Sequence, residues 1–219
     1  MQMEPFIIRF KEALFDTDRN KAIGIIHDAM AQGATPEDAV FRIVLPAIET
    51  QEQVMQGMNL SQHFMTAQIV SQITAELIPR FTQKPTSPGT VVIGTAPGDL
   101  HALGKSIVIG CLKARMTNTI DLGSSVSAER FVDEAEAHNA SVIAISAMMV
   151  HTARSEEGCL KVRRLLKERG MEDRVKIVVG GAPFRFDHNL YKTVQADAWA
   201  EDALAAASLI GRILEKKHV

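Results

Sequence analysis

The sequence predicts an α/β protein in which a flavodoxin-like (Rossmann-like), doubly wound sheet of five parallel strands follows a four-helix bundle. Three observations predict it. Residues 4 to about 82 repeat apolar side chains at three- and four-residue spacing, the period of helices with one buried face. The stretch TQKPTSPG, residues 82 to 89, holds two prolines and a glycine that stop a helix and polar residues that exclude a core strand. From residue 90, short β-branched apolar runs alternate with helical segments, the grammar of a parallel sheet covered on both faces. The expected domains are therefore 1–84, a helical bundle, and 88–219, a sheet domain.

Element by element, the first helix opens near Glu4, and Asp16 or Asp18 can cap the second. Thr35 followed by Pro36 starts the third, with proline in its first turn, and Ser61 starts the fourth. Gly33 and Gly57 lie at the joins, and short connections favour antiparallel neighbours. In the second half the predicted strands are VVIGT (91–95), TIDL (119–122), VIAIS (142–146), KIVVGG (176–181) and DAWA (197–200). Predicted helices follow Gly104, open at Ser127, run through Leu160 to Arg169, and close the series over 201–217.

The composition bounds the function. With 219 residues, 46% of them hydrophobic, the chain can bury a core without staples. Twenty-four basic and 26 acidic residues give a net charge of -2 with no basic block, which argues against a nucleic acid partner. The two cysteines, Cys111 and Cys159, sit in apolar or helical runs rather than a paired framework, as expected of a reduced cytoplasmic protein. Charged residues interrupt the N-terminus, and no stretch reaches the roughly 18 uninterrupted apolar residues of a membrane span, so a soluble protein is expected.

In doubly wound sheets ligands bind beyond the carboxyl ends of the strands, near the switch in strand order. Here the loops at that edge read TAPGDLHALGK, LGSS, SAMMVHT and GGAPF, and they hold the polar and glycine residues that a core would not. Asp99 stands two residues before His101, close enough to take the proton of one ring nitrogen and leave the other free for a metal.

Read as D-x-H-x-x-G, Asp99, His101 and Gly104 resemble the signature of cobalamin-binding domains that hold the cofactor with its benzimidazole displaced. Ser146-Ala147-Met148 is similar to the family's S-x-L, Gly180-Gly181 to its GG, and DLGSSVSAE (121–129) to the stretch between. The resemblance covers about residues 88–219, and the helical half resembles the cap domain of corrinoid methyltransferase proteins. It implies cobalamin as cofactor, with His101 as the lower cobalt ligand and Asp99 and Thr152 completing a hydrogen-bonded relay. Methyl transfer alternates cobalt between states that hold and release the lower ligand, so a titratable relay suits it. Ser146, Met148, Gly180 and Gly181 would line the slot for the displaced nucleotide tail, and Gly104 would let the helix beginning near Lys105 approach. Met148 replaces the usual leucine, a near-isosteric swap. Ala102-Leu103 replaces a frequent Asp-Ile and removes an acidic group beside the ligand.

The function so implied is a methyl carrier, not a catalyst by itself. A substrate methyltransferase would load the group from a methylated amine, methanol, a methoxyl compound or a similar donor, and a second would pass it to tetrahydrofolate or a thiol coenzyme. The alternative is a cobalamin-sensing regulatory or interaction module, which calls for a basic recognition helix where the first half has only scattered Lys and Arg. A flavodoxin-like domain unrelated to cobalt would make His101 incidental, but the chain has no G-x-G-x-x-G or P-loop. Met55, Met58 and Met65 read as packing, with Leu60 and Met65 also candidates for the cap over the corrin. The run from Lys161 to Arg169 reads as a solvated face, and Trp199 as packing near a sheet end. His63, His138, His151 and His188 have no partner in the pattern, although His151 lies beside the relay.

Overall fold

The computed structural model describes residues 2–49, 59–82 and 87–215, and the chain divides into two compact units, Met1–Thr86 with Lys113–Met116, and Ser87–Leu112 with Thr117–Val219. The first unit holds α1 (Glu4–Phe15), α2 (Arg19–Ala31), α3 (Pro36–Ala39), which continues through a π-turn (Val40–Val44) into α4 (Leu45–Glu49), and α5 (Leu60–Leu77). Phe6, Phe10, Ala13 and Leu14 of α1 recur at helical spacing and are all buried, as are Ile25 and Ile26 of α2 and Ile69, Val70 and Ile73 of α5. Each apolar side chain fully removed from water contributes about 1.5–3 kcal/mol.

The caps follow from local chemistry. Asp18, not Asp16, accepts from the Lys21 backbone N–H at 2.9 Å, and Thr35 forms a capping box with Asp38 ahead of Pro36. The fourth helix departs from expectation: Asn59 is its cap, in a reciprocal box with Gln62 at 2.9 Å each way, and Ser61 lies inside the first turn. Met65 is half-buried, whereas Met55, Met58, Gly57 and the side chain of Leu60 lie outside the described residues.

The second unit is a sheet of five parallel strands, β1 (Thr90–Thr95), β2 (Asn118–Asp121), β3 (Val142–Ser146), β4 (Lys176–Gly180) and β5 (Ala198–Ala200), in the order β2-β1-β3-β4-β5. This is the flavodoxin-like order, with its switch between β1 and β3. The register sets Thr95, Ser146, Gly180 and Ala200 in one row, so four strands end level. On one face Val92, Ile143, Ile145, Ile177 and Val179 pack with Phe131 and Val132 of α7 (Ala128–Ala137) and Val162 and Leu166 of α9 (Lys161–Glu168). On the other, α12 (Ala203–Glu215) packs against β3 and β4.

Short helices that carry no readable period complete the unit: α8 (Val150–Ala153), α10 (Ala182–Phe186) and α11 (Leu190–Thr193). The remaining helix, α6 (Leu103–Ala114), begins at Leu103, so Gly104 lies inside its first turn rather than ending the loop. The Lys161–Arg169 run is not simply a solvated face. Arg163 is buried, donates from Nη2 to Asp197 Oδ2 at 2.6 Å and from Nε to Gln195 O at 3.0 Å, and so ties α9 to the entry of β5. Beside it, burial pushes the Cys159 thiol up to about 12. In the folded protein at pH 8, Cys159 is expected to resist iodoacetamide and to label fully only in denaturant, as mass spectrometry would read.

Candidate functional site

The site is built on the two loops that diverge at the switch point. After β1 the chain turns at Gly98, whose φ of +77° suits glycine, and the Asp99 N–H closes the turn on Ala96 O at 2.9 Å. This turn drives the Asp99 carboxylate inward, where its side chain is fully buried. Oδ1 accepts from the His101 backbone N–H at 3.0 Å and faces His101 Nδ1 at 2.9 Å. Oδ2 accepts from the Met148 N–H at 2.7 Å, the Thr152 hydroxyl at 2.8 Å and, more weakly, the Met149 N–H at 3.4 Å. One carboxylate thus divides its two oxygens between the β1 and β3 loops.

Burial by itself would raise this carboxyl, but the hydrogen bonds from the His101 and Met148 amides, Thr152 and the His101 ring together hold it down at about 2. Asp99 is therefore charged, and a carboxylate can only accept, so His101 carries its proton on Nδ1. The Nε2 lone pair is left outward on a ring that is 55% exposed, with no hydrogen bond to a described residue. This is the arrangement in which a neutral imidazole ligates a metal, its other nitrogen anchored by a carboxylate.

Among the described residues no three His, Cys, Asp or Glu side chains converge as a metal cage. A metal at His101 would take its other ligands from a group in which it arrives. The surroundings fit such a group if it is flat and largely apolar. The exposed large apolar side chains of this unit, Leu100, Leu103, Met148, Met149, Val150 and Phe186, all belong to the loops and first turns after β1, β3 and β4. A Cβ built at Gly104 would meet nothing within 4 Å, so the first turn of α6 leaves open space at that position.

Of the residues singled out in the sequence, Asp99, His101, Met148 and Thr152 converge, Met148 through its backbone amide alone. Ser146 ends β3 beside Thr95 and Gly180; its carbonyl accepts from Ala96 N–H at 2.9 Å, and its side chain makes no hydrogen bond to a described residue. Gly180 ends β4 in the same row, and Gly181 follows it. The glycine at 181 has a cause inside the protein: a Cβ there would lie 2.0 Å from Ala147 O, with φ at +117°. The Cβ that an alanine would bring to position 180 makes only an ordinary contact, 3.5 Å to Ala200 O. His151 is exposed and outside the hydrogen-bonded group, His138 lies 3.3 Å from Glu134, and His188 stacks on half-buried Trp199 at 4.8 Å between ring centres.

The sequence reading passed over three contributors. Thr95 and Ser125 hold the Asp99 backbone, and their signal was a hydroxyl at the end of β1 and the serine pair after Gly123. Lys105, buried on α6, reaches Asp121 Oδ1 at 2.5 Å, which also accepts from Gly123 N–H at 2.8 Å.

The B12 binding domain family matches residues 89–208, which span the whole sheet and its loops. Trimethylamine corrinoid protein 1 of Methanosarcina acetivorans is 32% identical over 216 residues, 96% of this chain and 98% of that protein. In three dimensions a cobalamin-binding protein from Desulfitobacterium hafniense superposes with a TM-score of 0.76 at 20% identity, covering 93% of this chain and 96% of that one. The methanol:cobalamin methyltransferase complex of Methanosarcina barkeri contains a chain that matches with a TM-score of 0.75 at 21% identity, covering 97% and 81%. These two likenesses show the fold, and the family match and full-length relative go further: the chain belongs to the B12-binding family as one of its corrinoid proteins, and its cofactor is cobalamin.

Proposed function

We propose that this chain carries a methyl group on cobalamin between a methyltransferase that loads it from a methylated amine and a second one that delivers it to a thiol coenzyme or tetrahydrofolate. The observation that carries the reading is the buried, charged Asp99 holding His101 Nδ1 at 2.9 Å. The amine donor is supported by the full-length likeness to a trimethylamine corrinoid protein. When bound, cobalamin supplies a cobalt ion that takes up a methyl group and surrenders it to an acceptor.

His101 would hold the cobalt through its Nε2 lone pair, which Asp99 fixes by holding the proton on the opposite nitrogen. Thr152 Oγ1 lies 2.8 Å from both Asp99 Oδ2 and Met149 O, so its one proton has two acceptors and can turn toward Asp99 as the charge on the His101–Asp99 pair changes. Met148 steadies the same oxygen through its amide. Ser146 and Gly180 offer a hydroxyl and an unscreened backbone to the nucleotide tail, and Gly104 leaves room for the corrin.

The test is anaerobic reconstitution of wild type and His101→Ala with cobalamin, desalting, and electron paramagnetic resonance of the cobalt(II) form. The wild type is expected to show splitting from one axial nitrogen, and the variant to lose it. Retention of the same spectrum without His101 would sink the assignment. The donor is then read by methyl loading from trimethylamine, dimethylamine or methanol with the corresponding methyltransferase, an amine being expected to serve.

A further inference from the structure

Behind the pair of Asp99 and His101 lies a second set of hydrogen bonds. Thr95, fully buried at the end of β1, donates its hydroxyl proton to Asp99 O at 2.5 Å, the only direction possible because a carbonyl has no proton to give. Its oxygen accepts from the Ser125 N–H at 2.8 Å, and that N–H also lies 3.0 Å from Asp99 O. Ser125 in turn accepts on Oγ from the Gly98 N–H at 3.0 Å, its backbone held at a φ of +52°. Both ends of the Gly98-Asp99 peptide segment are thereby fixed. His101 takes no hydrogen bond from either residue.

We propose that Thr95 and Ser125 are positioning residues for the axial ligand: by clamping the Asp99 main chain they set the direction in which Asp99 Oδ1 holds the imidazole, and hence how firmly Nε2 is presented to cobalt. The proposal rests on His101 being that ligand. A merely structural clamp would change stability and leave the nitrogen-bound fraction of cobalt untouched, so the two roles separate in one spectrum.

Thr95→Val keeps the shape and deletes the hydroxyl, and Thr95→Ser restores it. Each is reconstituted with cobalamin and compared with wild type by the fraction of cobalt(II) showing axial-nitrogen splitting, with thermal unfolding of the corrinoid-free protein alongside. Loss of one net hydrogen bond predicts a shift of about fivefold toward nitrogen-free cobalt in Thr95→Val. Thr95→Ser should return to within about twofold of wild type, since the donor is restored. Ser125→Gly, which suits the positive φ and deletes the Gly98 acceptor without disturbing the core, should shift the same way by about two- to threefold, and it decides the matter if Thr95→Val does not fold. A folded Thr95→Val with the wild-type fraction, or a Ser variant as impaired as the Val variant, overturns the proposal alone. A wild type without nitrogen splitting overturns the ligand assignment as well.

Discussion

Gly181→Ala is expected to destabilise the chain by more than about 4 kcal/mol, enough to leave little folded protein. The added methyl would sit 2.0 Å from Ala147 O and 2.9 Å from Ala147 C, both backbone atoms that cannot swing aside, and the residue would be held at a φ of +117°. Nor can the strands part to admit it, because Ala147 N–H donates to Gly180 O at 3.0 Å immediately next door. Gly180→Ala provides the contrast. With only an ordinary contact to Ala200 O at 3.5 Å, it should cost less than about 1 kcal/mol. Urea unfolding of both variants measures the difference, and near-equal midpoints would refute it. If Gly180→Ala then retains less cobalamin at unchanged stability, the open backbone at 180 serves the cofactor rather than the fold.

Asp99→Ala should be the most damaging change at the site itself. It strips the acceptor from the His101 amide, the Met148 amide and the Thr152 hydroxyl at once, and each buried donor left unsatisfied costs about 1–3 kcal/mol. Cobalamin retention should fall 10- to 100-fold, the usual cost of losing the carboxylate behind a histidine ligand. The pH dependence has a definite sign. Asp99 titrates near about 2 when folded against 3.8 ordinarily, so its stabilisation, about 2 kcal/mol, is complete above about pH 4 and is lost as pH falls through about 2. Asp99→Asn should remove that acid limb from a plot of stability against pH. An unchanged limb would place its origin in other carboxylates.

The strands were readable because a parallel sheet buried on both faces needs unbroken β-branched runs, and VIAIS at 142–146 is both the run and the strand. The relay was readable because a carboxylate two residues from a histidine is a side-chain pattern. The grip of the Met148 amide on the second oxygen was not, since a backbone amide has no residue-type signature and this one lies 49 positions away. Short α8, α10 and α11 escaped for a different reason, as one turn shows no period. Arg163 was misread with its neighbours because Asp197, its partner 34 residues on, is invisible to any local pattern. The fourth helix start is legible: Asn59 and Gln62 have the spacing of a reciprocal cap, whereas Ser61 has Phe64 three residues on, which cannot return the bond.

Because Met148 and Met149 hold Asp99 through their backbone amides, any residue except proline at those two positions keeps that part of the grip intact. Both thioether side chains remain largely exposed, at 43% and 44%. Their chemistry is therefore free to diverge under pressure from whatever they face, a substitution ledger separate from that of the anchor beneath. At 148 the main chain makes the anchor and the side chain does not, so a methionine serves there as well as a leucine.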